Sequence, residues 1–258
     1  MSKKKIVLIL SAGILFLLLI WHFFLTPSCK ASERSVCPYL MSQNFSTVAG
    51  TYTRSVDREQ QGNFQLDFSI VNNKQEFAAT RESQELYHIV IDGNQAYLFH
   101  PVQGIWLKQP LLRFLEYKKT LGYYPKDTFD SFHSAYNTPD VVYKQRGKTN
   151  CDSSYCDKFE VGRGDIKEYM YFDQQTKQLR RLERDQDGIA TDLTLTYDTE
   201  DTIAIPTSSE DAQPDTNILL DIISLSQSAG SSKLPEYVRQ LQKQAQQQGD
   251  GQLSISSP

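Results

Sequence analysis

Ile89 to Pro110 reads IVIDGNQAYLFHPVQGIWLKQP. Two turn signals divide it, Asp92-Gly93-Asn94 and Pro101 to Gly104, leaving Glu85–Ile91, Gln95–His100 and Ile105–Leu107 as short strands. Apolar side chains fall on both faces of these strands. Just upstream, NFQLDFSIV places Phe64, Leu66, Phe68 and Ile70 on one face and Asn63, Gln65, Asp67 and Ser69 on the other, a period of two that marks a strand with one wet side. Asn72-Asn73 supplies the next turn, and Lys74–Arg81 runs back.

The pattern changes in the middle of the chain. Leu111, Leu112 and Leu115 recur at helical spacing, Lys118-Lys119 suits a last turn near Leu121, and Asp127–Tyr136 reads as a second short helix. After Pro139 strands return as VVYKQRG, CDKFEVGRG, IKEYMYFD, QLRRLERD and TDLTLTYD, with turn signals between them. Evenly spaced short strands of this kind predict one strongly curved antiparallel sheet carrying a helical insertion, a mostly β member of the α+β class. The 14 Tyr and 13 Phe suit such a pleated, half-buried surface.

MSKKK precedes Ile6–Leu25, twenty residues with no acidic or permanently charged side chain. A helix of that length covers about 30 Å, the hydrocarbon thickness of a bilayer. Lys3, Lys4 and Lys5 place the N-terminus in the cytoplasm and the remainder outside it, on a single-pass cell-membrane anchor. A cleaved signal peptide and a lipoprotein signal ending at Cys29 are the other readings of the segment, and all three export the rest of the chain. All 31 acidic residues lie beyond the run while three of the 27 basic ones precede it, so the exported part is acidic. That sets nucleic acid aside as a partner.

Outside the cytoplasm, four cysteines tend to form disulfides. Three pairings are possible; the local one, Cys29–Cys37 with Cys151–Cys156, is the simplest. A zinc site of four thiolates and a thioredoxin-type redox pair are rivals, and neither fits the spacings. The sequence holds no nucleophile elbow, Walker loop, dinucleotide fingerprint or HExxH pair, and His22, His88, His100 and His133 match no ligand spacing. No catalytic residue, metal or cofactor is expected. Asp185-Gln186-Asp187-Gly188 resembles the start of a calcium loop, but Thr196 stands where the twelfth-position Glu belongs, so a hairpin turn is the better reading.

The chain divides into four regions: the cytoplasmic lysines and anchor over 1–25, a juxtamembrane connector over 26–47, the sheet domain over 48–206, and a linker with a partly helical, partly disordered tail over 207–258. In the tail, Ile218–Leu225 reads as a short amphipathic helix. Leu234, Tyr237, Val238, Leu241 and Ala245 form a stripe able to dock on the domain or on an envelope protein partner.

Two stretches carry a resemblance. VIDGNQAYLFHPVQGIWLKQP looks like paired strands around a tight turn leading to an aromatic residue and a Pro. KEYMYFDQQTKQLRRLERDQDGIATDLTLTYD, with IAIP soon after it, looks like late strands joined by an Asp-led turn and an Asp-Gly turn. In this order the chain resembles the LolA/LppX-like bacterial lipoprotein-carrier superfamily over Val48–Pro206, as a membrane-anchored variant. The resemblance implies a half-barrel around an apolar cavity that accepts acyl chains, in which a 14-carbon chain would gain roughly 10 kcal/mol gross. Lining candidates, taken by strand parity and aromatic character, are Phe64, Leu66, Phe68, Ile70, Tyr97, Phe99, Trp106, Tyr169 and Tyr171. Parity alone does not say which face looks inward. The function this implies is non-catalytic binding of a lipid, a lipoprotein acyl chain or another hydrophobic ligand. A protein-interaction or envelope-sensing module with a self-packed sheet is the alternative.

Overall fold

The computed structural model describes residues 28–56, 63–81, 84–151, 154–164, 166–197 and 202–212, together with Ile218, Leu219 and Ile222. Ile6–Leu25 and the stripe from Leu234 to Ala245 lie outside the described residues. Among the described residues, no helix is long and apolar enough to cross a membrane.

Twelve strands form one open, curved sheet: β1 (Thr47–Val56), β2 (Phe64–Val71), β3 (Lys74–Arg81), β4 (Gln84–Asp92), β5 (Gln95–His100), β6 (Ile105–Pro110), β7 (Val142–Cys151), β8 (Ser154–Arg163), β9 (Ile166–Asp173), β10 (Leu179–Gln186), β11 (Ile189–Tyr197) and β12 (Glu210–Asp211). Their order is β12-β6-β5-β4-β3-β2-β1-β11-β10-β9-β8-β7. Two meanders, β1–β6 and β7–β11, therefore join where β1 pairs antiparallel with β11. Only β12 runs parallel to its neighbour, β6. The turns use the residues the sequence offers: Asn72, Gly93, Asp187 and Gly188 all take positive φ, and the Asp185–Gly188 stretch is the β10–β11 hairpin turn.

Among the described residues, three α-helices have defined bounds: α1 (Cys37–Met41), α2 (Leu111–Tyr117) and α3 (Pro125–Tyr136). One 3₁₀ turn, Arg34–Val36, precedes α1, and another, Lys118–Leu121, extends α2. Pro125 opens α3 at its first turn, where a missing N–H costs nothing, and Phe129 and Phe132 supply its buried face. Phe45 stacks on Phe129 at 4.3 Å, and Phe129 meets Phe68 of β2 at 5.9 Å. α1 falls inside the stretch read as a connector, yet Val36, Tyr39 and Leu40 are buried. Its Tyr39 ring packs on Phe159 and Phe172. The Gln43 side chain donates to the Lys177 carbonyl at 2.9 Å and accepts from the Leu179 N–H at 2.9 Å, fastening the segment to β10.

The core lies between the helices and one face of the sheet, filled by Leu66, Phe77, Ile89, Leu98, Phe114, Phe132 and Phe159 among others. Past the strands, Ile218, Leu219 and Ile222 are helical and buried in this same core. Both local disulfides form, Cys29–Cys37 with Cα atoms 5.7 Å apart and Cys151–Cys156 with Cα atoms 5.8 Å apart.

Candidate functional site

Register assigns every strand position to a face. Ladder partners of Phe68 are Gly50 on β1 and Phe77 on β3, and Phe77 in turn faces Ile89 and then Leu98. Phe64, Leu66, Phe68 and Ile70 therefore share the helix-bearing face, and the last three are buried in the core. Tyr97, Phe99 and Trp106 alternate with Ala96, Leu98 and Leu107 and stand on the opposite, outer face. There Trp106 touches Phe99 at 5.5 Å and His88 at 5.0 Å, while His88 bonds Glu76 at 2.8 Å. Tyr169 and Tyr171 also stand outside, with the Lys158 ammonium over both rings at 4.3 and 4.9 Å. The nine candidates are thus split between two faces, and Phe129 and Phe132 of α3 pack in the core on the inner one.

A cavity among the described residues lies elsewhere. A pocket of about 520 Å³ sits between α3 and the inner face of β1, β9, β10 and β11. Its walls include Tyr52 and Arg54 of β1, Glu168 of β9, Leu182 and Arg184 of β10, Ile189 and Leu193 of β11, and Tyr136 of α3. None of the nine candidates lines it. Tyr123, from the loop between α2 and α3, stacks face to face on Tyr52 with centroids 3.8 Å apart and makes a flat aromatic wall. The exposed members, Arg54 and Asp187, mark the mouth, and buried Leu193 marks the depth.

Tyr136, Glu168 and Arg184 have definite partners. The Tyr136 hydroxyl donates to Glu168 Oε2 at 2.7 Å, and Arg184 Nη1 lies 3.7 Å from Glu168 Oε1. Arg184 also donates to the Gln186 side-chain oxygen. The Tyr143 hydroxyl donates to the Tyr136 carbonyl at 2.6 Å and braces the helix end. Among the described residues Arg54 makes no ion pair. The Tyr123 hydroxyl is enclosed without a hydrogen bond of good geometry, with Thr128 beside it. Burial pushes the Tyr123 and Tyr136 hydroxyls well above their ordinary range, and at Tyr136 the Glu168 charge adds to the effect. These phenols stay protonated donors at neutral pH. Among the described residues no group of three or more His, Cys, Asp or Glu side chains is placed to hold a metal ion.

The residues of this pocket carry a signal that the sequence itself contains. Arg54, Glu168 and Arg184 occupy inward positions on strands whose other inward residues, such as Val48, Met170 and Leu182, are apolar. A charge on the apolar parity of a strand needs a partner or a cavity; Glu168 and Arg184 have both, and Arg54 has the cavity.

No protein-family model matches the sequence, and no curated protein matches it. Among solved structures, the fold is similar to LprF from Mycobacterium bovis, with a TM-score of 0.48 and 13% identity, covering 68% of this chain and 98% of that one. It is also similar to the lipoprotein LppX of Mycobacterium tuberculosis, with a TM-score of 0.43 and 10% identity, covering 64% of this chain and 95% of that one. A LolA superfamily protein from Nitrosomonas europaea is more distant, at a TM-score of 0.24 and 8% identity, covering 64% and 91%. All three likenesses are of fold, at 13% identity or less.

Proposed function

We propose that this chain is a non-catalytic binding protein, held at the outer surface of a bacterial cell membrane by Ile6–Leu25 with its N-terminus cytoplasmic. In this reading it takes a lipid or lipoprotein acyl chain carrying an anionic group into the pocket between α3 and β1, β9, β10 and β11. The observation that carries this is the pairing of apolar walls with cations in one cleft. Tyr52, Tyr123, Leu182 and Leu193 offer surface on which methylene groups gain about 0.8 kcal/mol each on burial. Arg54 offers a cation at the mouth, beside Asp187, while Arg184 is held by Glu168 in the wall. A volume of about 520 Å³ falls in the ordinary range for small-ligand sites, roughly 300–1,000 Å³, which suits one chain rather than several tails.

The test is to purify the full-length chain, extract it with organic solvent and weigh what co-purifies. Wild type should yield an amphiphile in near-stoichiometric amount, and Thr191→Trp, which fills the pocket, should lose it. Equal lipid from both would sink the reading.

The alternative, a protein-interaction or envelope-sensing module, is favoured by a different observation. Most of the helix-bearing face is closely packed, while Tyr97, Phe99 and Trp106 stand half-buried on the outer face. In-cell cross-linking to a protein partner that disappears with Trp106→Ala, while lipid content stays unchanged, would favour it.

A further inference from the structure

The pocket mouth and the entry of the chain into the domain lie at the same end of the sheet. The mouth residues Arg54 and Asp187 belong to the end that also holds the β5–β6 turn and the first residue of β7. Exposed Val102 and Val142 sit at that end. Tyr136, in the pocket wall, directly precedes Asn137, and Asn137 grips the incoming chain. Its side-chain amide donates to the Ser28 carbonyl at 3.3 Å, and its side-chain oxygen accepts from the Lys30 N–H. Ser32 then donates to the Val141 carbonyl at 2.9 Å, and the Cys29–Cys37 disulfide closes the segment on itself.

Only Thr26 and Pro27 separate Ser28 from the end of the apolar run at Leu25. A fully extended chain advances about 3.5 Å per residue, so this short link spans roughly 10 Å at most. An eight-residue strand is about 26 Å long, so while Asn137 holds Ser28 an upright domain keeps the mouth end, and not the far end, at the bilayer.

We infer that the tether holds the pocket mouth against the membrane surface, so that the ligand enters directly from the outer leaflet rather than through water. The inference rests on reading Ile6–Leu25 as an uncleaved anchor and the pocket as the ligand site. Chemistry at this end suits the role: Arg54 and Lys30 are exposed cations that meet lipid phosphates, and Val102 and Val142 are exposed apolar tips. The site so defined is a lateral port for single-chain bilayer amphiphiles.

The experiment uses the full-length chain reconstituted in phosphatidylcholine vesicles that contain a nitroxide-headgroup lipid. A fluorophore is placed in turn at Asp185→Cys and Val102→Cys, at the mouth end, and at Asn73→Cys and Asn94→Cys, at the far end. Quenching several-fold stronger at both mouth-end sites is the expected result. Inserting twelve Gly and Ser residues between Pro27 and Ser28 should abolish the difference. Equal quenching at all four sites, or stronger quenching at the far end, would overturn the inference, as would release of the chain from vesicles by alkaline wash. A photoactivatable fatty acid dissolved in the same vesicles separates the two readings. Mouth-end quenching without cross-linking to Tyr123 or Leu182 would leave the orientation standing, but would remove lipid uptake and with it the ligand site.

Discussion

The Tyr136 hydroxyl donates to the Glu168 carboxylate at 2.7 Å and so ties the last turn of α3 to β9 across the pocket wall. Glu168 has one further partner, Arg184, at 3.7 Å. Removing the hydroxyl leaves a largely buried carboxylate short of its best donor. Tyr136→Phe should lower unfolding free energy by about 1–3 kcal/mol, the range for a lost bond to a charged group. Urea denaturation of the variant checks it, and an unchanged midpoint would show the bond to be incidental.

Gly50 is the glycine of the sheet that leaves least room for a side chain. A Cβ there would lie 2.4 Å from the Thr194 carbonyl oxygen and 2.8 Å from the Phe68 ring. The carbonyl cannot retreat without breaking the β1–β11 ladder that joins the two meanders. Gly50→Ala should therefore cost about 1–3 kcal/mol, as overpacking usually does, despite the gain in strand propensity. A rise in melting temperature would contradict this packing.

Asp173 sets the acid limit. Burial pushes its carboxyl up, but the Ser154 hydroxyl, the Thr176 and Gln175 N–H groups and the nearby Arg180 outweigh that and hold it at about 2. The unfolded value is near 3.8, so this stability is complete above that pH and is lost as pH falls toward 2. Asp173→Asn should cost about 2 kcal/mol at neutral pH and flatten the acid limb of the stability curve.

Tyrosines set the alkaline limit. Burial raises Tyr87, Tyr123, Tyr136, Tyr143 and Tyr197 above their ordinary value. In the unfolded chain they ionise near pH 10, while in the fold they keep their protons to higher pH. Their contribution is full below about pH 10 and is lost as pH rises through the folded values. Stability should stay level through neutral pH and fall from about pH 10 upward, by calorimetry across buffers. A fall beginning near pH 8 would contradict it.

Arg54 is exposed and makes no ion pair among the described residues, so its charge is available to a ligand. Arg54→Gln should weaken capture of an anionic amphiphile about tenfold, the worth of one charge-assisted hydrogen bond, and leave the melting temperature unchanged. Equal affinity for anionic and neutral probes in wild type would remove Arg54 from the site.

Much of the fold is legible in the sequence. Alternation in NFQLDFSIV, the turn residues Asn72, Gly93 and Gly188, and the leucines of Leu111–Leu121 give strands, hairpins and α2 with little error, because each is a local signal. Local disulfide pairing comes from spacing as well. The illegible part is relational. Period two separates two faces but does not name the inner one, so parity and aromatic character group Tyr97, Phe99, Trp106, Tyr169 and Tyr171 with Phe64, Leu66, Phe68 and Ile70, from which the sheet divides them. α1 is five residues long and depends on packing of Tyr39 and Leu40 rather than on propensity. β12 is two residues whose pairing with β6 spans about a hundred positions. The pocket is hard to see in sequence because its marks are charges on an apolar parity, whereas aromatic character points to other positions.

The most direct measurement is a photo-cross-linking map. Cells expressing the full-length chain are fed a photoactivatable fatty acid, irradiated, and the adducts located by peptide mass spectrometry. Adducts concentrated on Tyr52, Tyr123, Leu182 and Leu193, and lost in Thr191→Trp, are the result expected of an amphiphile in this pocket. Adducts confined to Tyr97, Phe99 and Trp106 on the outer face, or no adducts on the domain at all, would contradict it.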